Sequence, residues 1–171
     1  VALLKTGVAP GGSVTGPMAE VVFRSTQYLS DADAQAIAVY LRALPQRAIA
    51  PAEVVKPSAA TLERGAKVYE QHCAQCHGDN GEGKPGAFPA LAGNRAVVLQ
   101  DPTNLVRVVL QGGYLPATAG NPRPHGMPPF MQVLGDDDVA AVSTFVRNAW
   151  GNQASAVGTI GVYRARERRG S

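Results

Sequence analysis

The sequence predicts an all-α fold, and three observations lead to this class. Apolar residues recur at helical spacing in three segments, which begin near residues 58, 102 and 136. Stretches rich in Gly and Pro, which interrupt helices, separate these segments. The 171 residues are 45% hydrophobic and 17% charged, a composition typical of a globular chain and not of a disordered one. We therefore expect helices that pack around a common core.

The first of these helices is predicted to begin at Ser58 and to run through Leu62, Gly65 and Tyr69. Gly65 and Tyr69 are four residues apart, so they lie on one face of the helix. The helix leads directly into a segment that contains both cysteines of the chain.

That segment reads Cys73-Ala74-Gln75-Cys76-His77. Two cysteines at this spacing could form a redox dithiol or half of a zinc site, but zinc needs four ligands and the sequence has no second pair. A His directly after the second Cys is typical of c-type haem attachment. One helical turn can present both thiols to the two haem vinyl groups, and His77 then supplies the proximal nitrogen ligand. The motif predicts one covalent haem c bound by Cys73, Cys76 and His77.

The sixth iron ligand must come from later in the chain, where His125, Met127 and Met131 are the candidates. We favour Met127 because Gly126-Met127-Pro128-Pro129-Phe130 is a Pro-rich loop that cannot become helix and can hold a thioether rigidly. Met131 lies nearer the next helix, where a core role is the simpler interpretation. His125 would give a bis-His haem of lower potential, or is an exposed loop histidine. His72 directly precedes the haem motif and is badly placed to reach the other haem face.

Two further helices are expected after the motif. Residues 78–86 are rich in Gly and form a loop that leads to Pro89. A short helix opens at Pro102 and ends at Gly112-Gly113. The last helix runs from about Asp136 to Trp150, and its acidic first turn favours its N-terminus. The residues expected to face inward from it are Val139, Val142, Phe145, Val146 and Trp150.

Residues 58–151 resemble a class I cytochrome c domain. The resemblance rests on the haem motif, the Gly65/Tyr69 pair and this order of helices. The resemblance implies an all-α fold around one covalent haem, with the domain at 58–152. It implies that Gly65 and Tyr69 pack on the C-terminal helix. It also implies that the carbonyl of Pro89 accepts a hydrogen bond from the proximal His77 and that Leu91 packs beside the haem.

Residues 1–45 carry a partial internal repeat. Residues 29–33 and 134–138 have similar sequences, and the apolar residues that follow each segment match at the same offset of 105. Residues 1–45 are therefore expected to be the back half of a second such domain without its haem motif, joined by a linker at 46–57. Met18 would be the distal ligand of that domain, although a core or loop role is favoured for it in this chain.

This tandem arrangement resembles the multihaem cytochrome c subunits of bacterial periplasmic dehydrogenases that act on alcohols, aldehydes or sugar acids. The resemblance implies an electron-transfer protein, not an enzyme, that relays electrons from a dehydrogenase catalytic subunit to other cytochromes, quinone or a terminal acceptor. The expected location is the periplasm, with membrane association through partners.

Three alternatives remain open. One is a haem enzyme and another is a ligand-binding sensor, both with a labile sixth ligand. The third is a free soluble monohaem carrier, against which the leftover half-domain argues. The apolar face of residues 1–45 could also mediate self-association or pairing with a protein fragment.

The net charge and the two chain ends give weaker indications of function than the haem motif. The net charge is +3, and much of the excess lies in the Arg-rich last eight residues. We expect 153–171 to be a basic C-terminal tail. Its last eight residues are expected to be solvated and mobile, with docking to an acidic partner as the alternative. No basic stripe interleaved with aromatics suggests nucleic acid. No apolar run approaches the roughly 20 residues of a spanning helix. The first residue is Val, so we expect that an upstream segment has been removed.

Overall fold

The computed structural model describes residues 1–45 and 54–167. In these ranges helices predominate, with two short hairpins between them. The helices are α1 Ala2–Thr6, α2 Pro17–Arg24, α3 Asp31–Ala43, α4 Ala59–His72, α5 Ala74–His77, α6 Arg95–Val98, α7 Thr103–Gln111, α8 Asp136–Val146 and α9 Thr159–Glu167, with a 3-10 turn at Thr26–Tyr28. The strands are β1 Val8–Ala9, β2 Gly12–Ser13, β3 Gly113–Tyr114 and β4 Gly126–Met127.

The packing of α4 on α8 forms the centre of the fold. Ser58 caps α4, since its side chain accepts a hydrogen bond from the amide of Thr61 at 3.1 Å, as the predicted helix start requires. A Cβ atom on Gly65 would lie 2.2 Å from the carbonyl oxygen of Ala141, so only glycine permits this approach. The Tyr69 ring lies 5.5 Å from that of Phe145 on α8. The predicted packing of Gly65 and Tyr69 on the last helix of the domain is confirmed.

The end of α8 differs from the prediction. The helix ends at Val146, four residues before Trp150. Trp150 has a φ of 54° and Gly151 a φ of 85°, and the left-handed region cannot continue a right-handed helix. This reversal turns the indole back onto Tyr69, with the two ring centroids 4.9 Å apart.

The two hairpins were not predicted. β3 pairs antiparallel with β4, and Gly113 lies opposite Met127. β1 pairs antiparallel with β2, and Val8 lies opposite Ser13. Strands of two residues are too short to show the alternation by which a strand is recognised in sequence.

In the first 45 residues α1, the β1–β2 hairpin and α3 follow the same order as α7, the β3–β4 hairpin and α8, but α2 and the 3-10 turn lie between hairpin and helix only in the first segment. Gly7 after α1 and Gly112 after α7 are 105 residues apart and have φ values of 73° and 71°. The hairpin register places Ser13, and not Met18, at the position that Met127 occupies in the second hairpin. Met18 lies on α2, and its side chain is 54% exposed.

Residues 1–45 contact the larger domain through a backbone hydrogen bond and a side-chain hydrogen bond. The amide of Arg95 donates to the carbonyl of Gly11 at 2.9 Å, and the Gln27 side chain donates to the carbonyl of Ala117 at 3.2 Å. A different surface of this segment stays open to solvent. Its exposed apolar side chains are Val21, Phe23, Ile37, Val39, Tyr40 and Leu41.

The expectation of a solvated, mobile end is wrong for residues 164–167, because they belong to helix α9, Thr159–Glu167. On this helix Val162 is fully buried and Ala165 is 6% exposed. These two side chains are three residues apart and so share a face, which packs on the core beside α7 and α8. Residues 168–171, and residues 46–53 of the predicted linker, lie outside the described residues. None of the helices in the described ranges is long and apolar enough to cross a membrane.

Candidate haem-binding site

The Cys-x-x-Cys-His segment forms a single helical turn at the end of α4. Cys73 lies between α4 and α5 as the capping residue of both, and its carbonyl accepts hydrogen bonds from the amides of Cys76 at 3.1 Å and His77 at 3.0 Å. Both thiols are free and half-buried. Burial, and secondly the neighbouring Cys76, raise the pKa of the Cys73 thiol to about 11. One short element therefore presents two thiols and an imidazole.

The imidazole of His77 is held in one tautomer. His77 is 8% exposed, and its Nδ1 lies 2.9 Å from the carbonyl oxygen of Pro89. Because a carbonyl oxygen can only accept, Nδ1 carries the proton, and the lone pair for a metal is on Nε2. Burial lowers the pKa of His77, and the bond to Pro89 offsets part of that effect. The ring is thus neutral, which is the form that binds a metal.

The loop between His77 and Leu91 is fixed by its own backbone. The amide of Gly83 donates to the carbonyl of His77 at 2.7 Å. The amide of Leu91 donates to the carbonyl of Gly81, also at 2.7 Å. These bonds hold Pro89 in place as the partner of the imidazole.

Two cavities of about 300 and 130 Å³ adjoin the motif and share several lining residues, among them Cys73, His77, Pro89 and Met127. Leu91 lines the smaller cavity, while Cys76 lines the larger one. Four of the six predicted site residues therefore border both spaces, and the other two border one each.

Met127 is placed by β4 and by the chain that follows it. Its strand pairs with β3, and beyond the two prolines the amide of Phe130 donates to the carbonyl of Val109 at 3.1 Å. The amide of Met131 donates to the carbonyl of Leu110 at 3.0 Å. Met131 itself packs against the hydrophobic core. His125 is exposed at the rim of the larger cavity, and its ring lies 5.0 Å from that of Phe88.

Sequence reasoning missed several residues of the cavity wall. Thr15, from the N-terminal segment, lines both cavities, and its role depends on tertiary docking that no local pattern reveals. Ser143 on α8 is fully buried, lines the smaller cavity, and has a hydroxyl without a hydrogen-bond partner among the described residues. A buried hydroxyl that lines the same cavity as Cys73 and His77 fits a site built around a covalently bound cofactor.

In residues 1–45 and 54–167, no three or more His, Cys, Asp or Glu side chains are grouped so that they could hold a metal ion.

A small helical domain with this Cys-x-x-Cys-His turn beside a largely apolar cavity belongs to the class of covalent haem proteins. The cytochrome c family model matches residues 62–150, and the chain belongs to the cytochrome c family. The predicted resemblance is confirmed. The family binds haem c covalently and transfers electrons, and this chain is an electron-transfer protein of that family.

The chain is similar to subunits of larger assemblies. It is 40% identical over 164 residues to the cytochrome c subunit of alcohol dehydrogenase (quinone) from Gluconobacter oxydans (strain 621H), covering 90% of this chain and 34% of that protein. It is 36% identical to the gluconate 2-dehydrogenase cytochrome c subunit from Pantoea cypripedii, covering 84% and 35%. The chain spans about a third of the length of these relatives.

A shorter relative matches about half of the chain. Over 97 residues the chain is 37% identical to cytochrome c-552 from Thermus thermophilus, a match that covers 55% of this chain and 73% of that protein.

Proposed function

We propose that the domain at 58–152 holds one haem c through thioethers from Cys73 and Cys76, with His77 and Met127 as its axial ligands. When bound, the haem supplies an iron that gains and loses one electron. The observation that carries the proposal is that His77 and Met127, anchored on separate elements, line the same two adjoining cavities. The Pro89 carbonyl orients the imidazole, and Leu91 provides an apolar wall.

The anchoring of Met127 supports an electron carrier over a haem enzyme or a sensor. Catalysis or ligand sensing at the iron needs a sixth ligand that leaves readily, whereas electron transfer needs two ligands that stay in both oxidation states. Met127 is followed by two prolines, which restrict the backbone, and by two amides bonded to α7. Such a segment favours a ligand that remains in place.

We further propose that the chain is part of a cytochrome c subunit. It would take electrons from a dehydrogenase catalytic subunit and pass them to other cytochromes, quinone or another terminal acceptor. The names of the alcohol and gluconate dehydrogenase relatives support this assignment. Haem c is attached outside the cytoplasm, which favours the periplasm, with any membrane association provided by partners.

Residues 1–45 fit the proposal as the back half of a second cytochrome c domain. The repeated order of helix, hairpin and helix supports it, as does the shared offset of Gly7 and Gly112. In the haem domain α4 covers α8, but the equivalent surface of α3 exposes Ile37, Tyr40 and Leu41. This face is a candidate surface for self-association or for pairing with a helical fragment.

The axial ligands are tested by optical spectra of the oxidised and reduced holoprotein, with carbon monoxide added to the reduced form. A weak near-infrared charge-transfer band that disappears on reduction, without a carbon monoxide shift, is the expected result. The variant Met127→Leu should lose this band and bind carbon monoxide, while Met131→Leu and His125→Ala should keep it. If the unaltered protein lacks the band and binds carbon monoxide readily, the enzyme or sensor alternative replaces the carrier.

A further inference from the structure

The C-terminal helix α9 lies beyond residues 62–150, the segment matched by the cytochrome c family. It nevertheless packs into the same core through Val162 and Ala165. Its polar side carries Arg166, whose side chain is only 22% exposed. The helix therefore brings a half-buried cation to the haem domain from outside the family's common segment.

The guanidinium of Arg166 contacts a short stretch of chain at three points. Its Nε donates to a carboxylate oxygen of Asp136 at 2.6 Å, and Nη2 donates to the carbonyl of Leu134 at 3.0 Å. Nη1 donates to the carbonyl of Met131. The forked, planar guanidinium suits several acceptors at once, and charged donors make stronger hydrogen bonds than neutral ones.

This stretch is the end of the segment that carries Met127. The amides of Phe130 and Met131 hold it to α7, and the amide of Leu134 donates to the carbonyl of Phe130 at 2.9 Å. Pro128 and Pro129 join it to Met127 with little rotational freedom. Arg166 on α9 thus holds the carbonyls of Met131 and Leu134, while α7 holds the amides of Phe130 and Met131.

We propose that Arg166 is a positioning residue for the sixth haem ligand, so that α9 controls how firmly Met127 stays on the iron. The inference rests on the proposed Met127 ligation. Loss of the three contacts frees residues 131–136 to move away from α9. The restraint on Met127 then weakens, and an external ligand displaces it more easily.

The test is an imidazole titration of the oxidised holoprotein, followed by loss of the near-infrared charge-transfer band. Arg166→Met keeps the length of the side chain and removes its charge and donors. We expect it to bind imidazole at least about tenfold more tightly than the unaltered protein, the ratio typical of a lost charge-assisted hydrogen bond. Arg164→Met, at an exposed position of the same helix, is the matched control and should bind imidazole as the unaltered protein does.

If Arg166→Met fails to fold, Arg166→Lys is used for the imidazole titration instead. It keeps the charge beside Asp136 but cannot fork to three acceptors, so an intermediate affinity is expected. If either variant has lower stability in urea but an unchanged affinity for imidazole, Arg166 only stabilises the fold and the inference is wrong. If the unaltered protein has no charge-transfer band, the proposed Met127 ligation fails first, and the role of Arg166 fails with it.

Discussion

Gly65 lies where α4 crosses α8, and the contact there leaves no room for a side chain. A Cβ atom would come within 2.2 Å of the Ala141 carbonyl oxygen and 2.7 Å of the Phe145 Cβ. Both atoms belong to a buried helix, so neither can move without displacing its neighbours. Four residues later, Tyr69 donates to the carbonyl of Gly78 at 2.6 Å and ties the same helix to the haem motif.

Gly65→Ala should therefore destabilise the holoprotein, although alanine favours helix more than glycine does. We expect a loss of about 1–3 kcal/mol in the free energy of unfolding, the usual cost of overpacking a core. Urea unfolding followed by circular dichroism measures it.

Gly161→Ala is the matched control, because Gly161 lies in α9 and no atom lies within 4 Å of the position that an added methyl group would take. It should raise stability by about 0.5–1 kcal/mol through helix propensity. Equal effects of the two substitutions would show that the α4–α8 contact tolerates a side chain at position 65.

Arg147 has a different structural role from that of Gly65. It is 1% exposed, and its guanidinium donates to the carbonyls of Val97 and Leu99 at 2.7 and 2.8 Å and to that of Ser155 at 3.0 Å. Burial lowers the pKa of this guanidinium, and the charge of Asp101 offsets part of the effect. Arg147 thus joins α6 and the chain after α8 to the core.

At the scale of elements, the sequence was informative where periodicity and capping residues act over a whole helix. The start of α4 at Ser58, the end of α7 at Gly112 and the start of α8 at Asp136 follow from local chemistry. The hairpins could not be predicted, since two-residue strands have no period. α9 was missed because its arginines obscured an apolar face of only two buried side chains.

Some residues of the candidate site could be predicted from the sequence, and others could not. Cys73, Cys76 and His77 form a contiguous motif whose spacing matches the cofactor, so sequence alone was enough to propose them. The cavity wall was not predictable where it comes from distant parts of the chain, as with Thr15 and Ser143. Such residues meet only after the helices have packed.

The hairpin that carries Met127 depends on a close backbone approach at Gly112. Its φ is 71°, and a Cβ atom there would lie 2.3 Å from the carbonyl oxygen of Met127. Gly112→Ala should push β4 away from α7 and weaken the proposed Met127 ligation. The near-infrared band should decrease, and carbon monoxide should bind faster to the reduced protein.

Gly120→Ala provides the comparison, because Gly120 follows β3 in the same connection and has no atom within 4 Å of the added position. Its spectrum should match that of the unaltered protein. A normal band in Gly112→Ala would mean that the hairpin adapts without moving the thioether.

In the whole molecule, the related helices α8 and α3 are covered by other helices to different extents. α8 has α4 packed on it, and its inward residues are buried. α3 repeats the sequence pattern of α8 at an offset of 105 but buries only Ala34. The neighbouring exposed apolar side chains Ile37, Tyr40 and Leu41 favour contact with another protein surface.

We therefore expect the isolated chain to self-associate through α3 in a concentration-dependent way. Light scattering coupled to size-exclusion chromatography would measure the mass. Tyr40→Asp places a charge on this face, where the tyrosine is 65% exposed, and should give a monomer because a charge is costly to bury in an apolar contact. Tyr163→Asp alters a tyrosine that is 55% exposed on α9 and should leave the association unchanged. A monomer at every concentration would contradict self-association and leave a helical fragment as the partner of α3, since the face would remain uncovered.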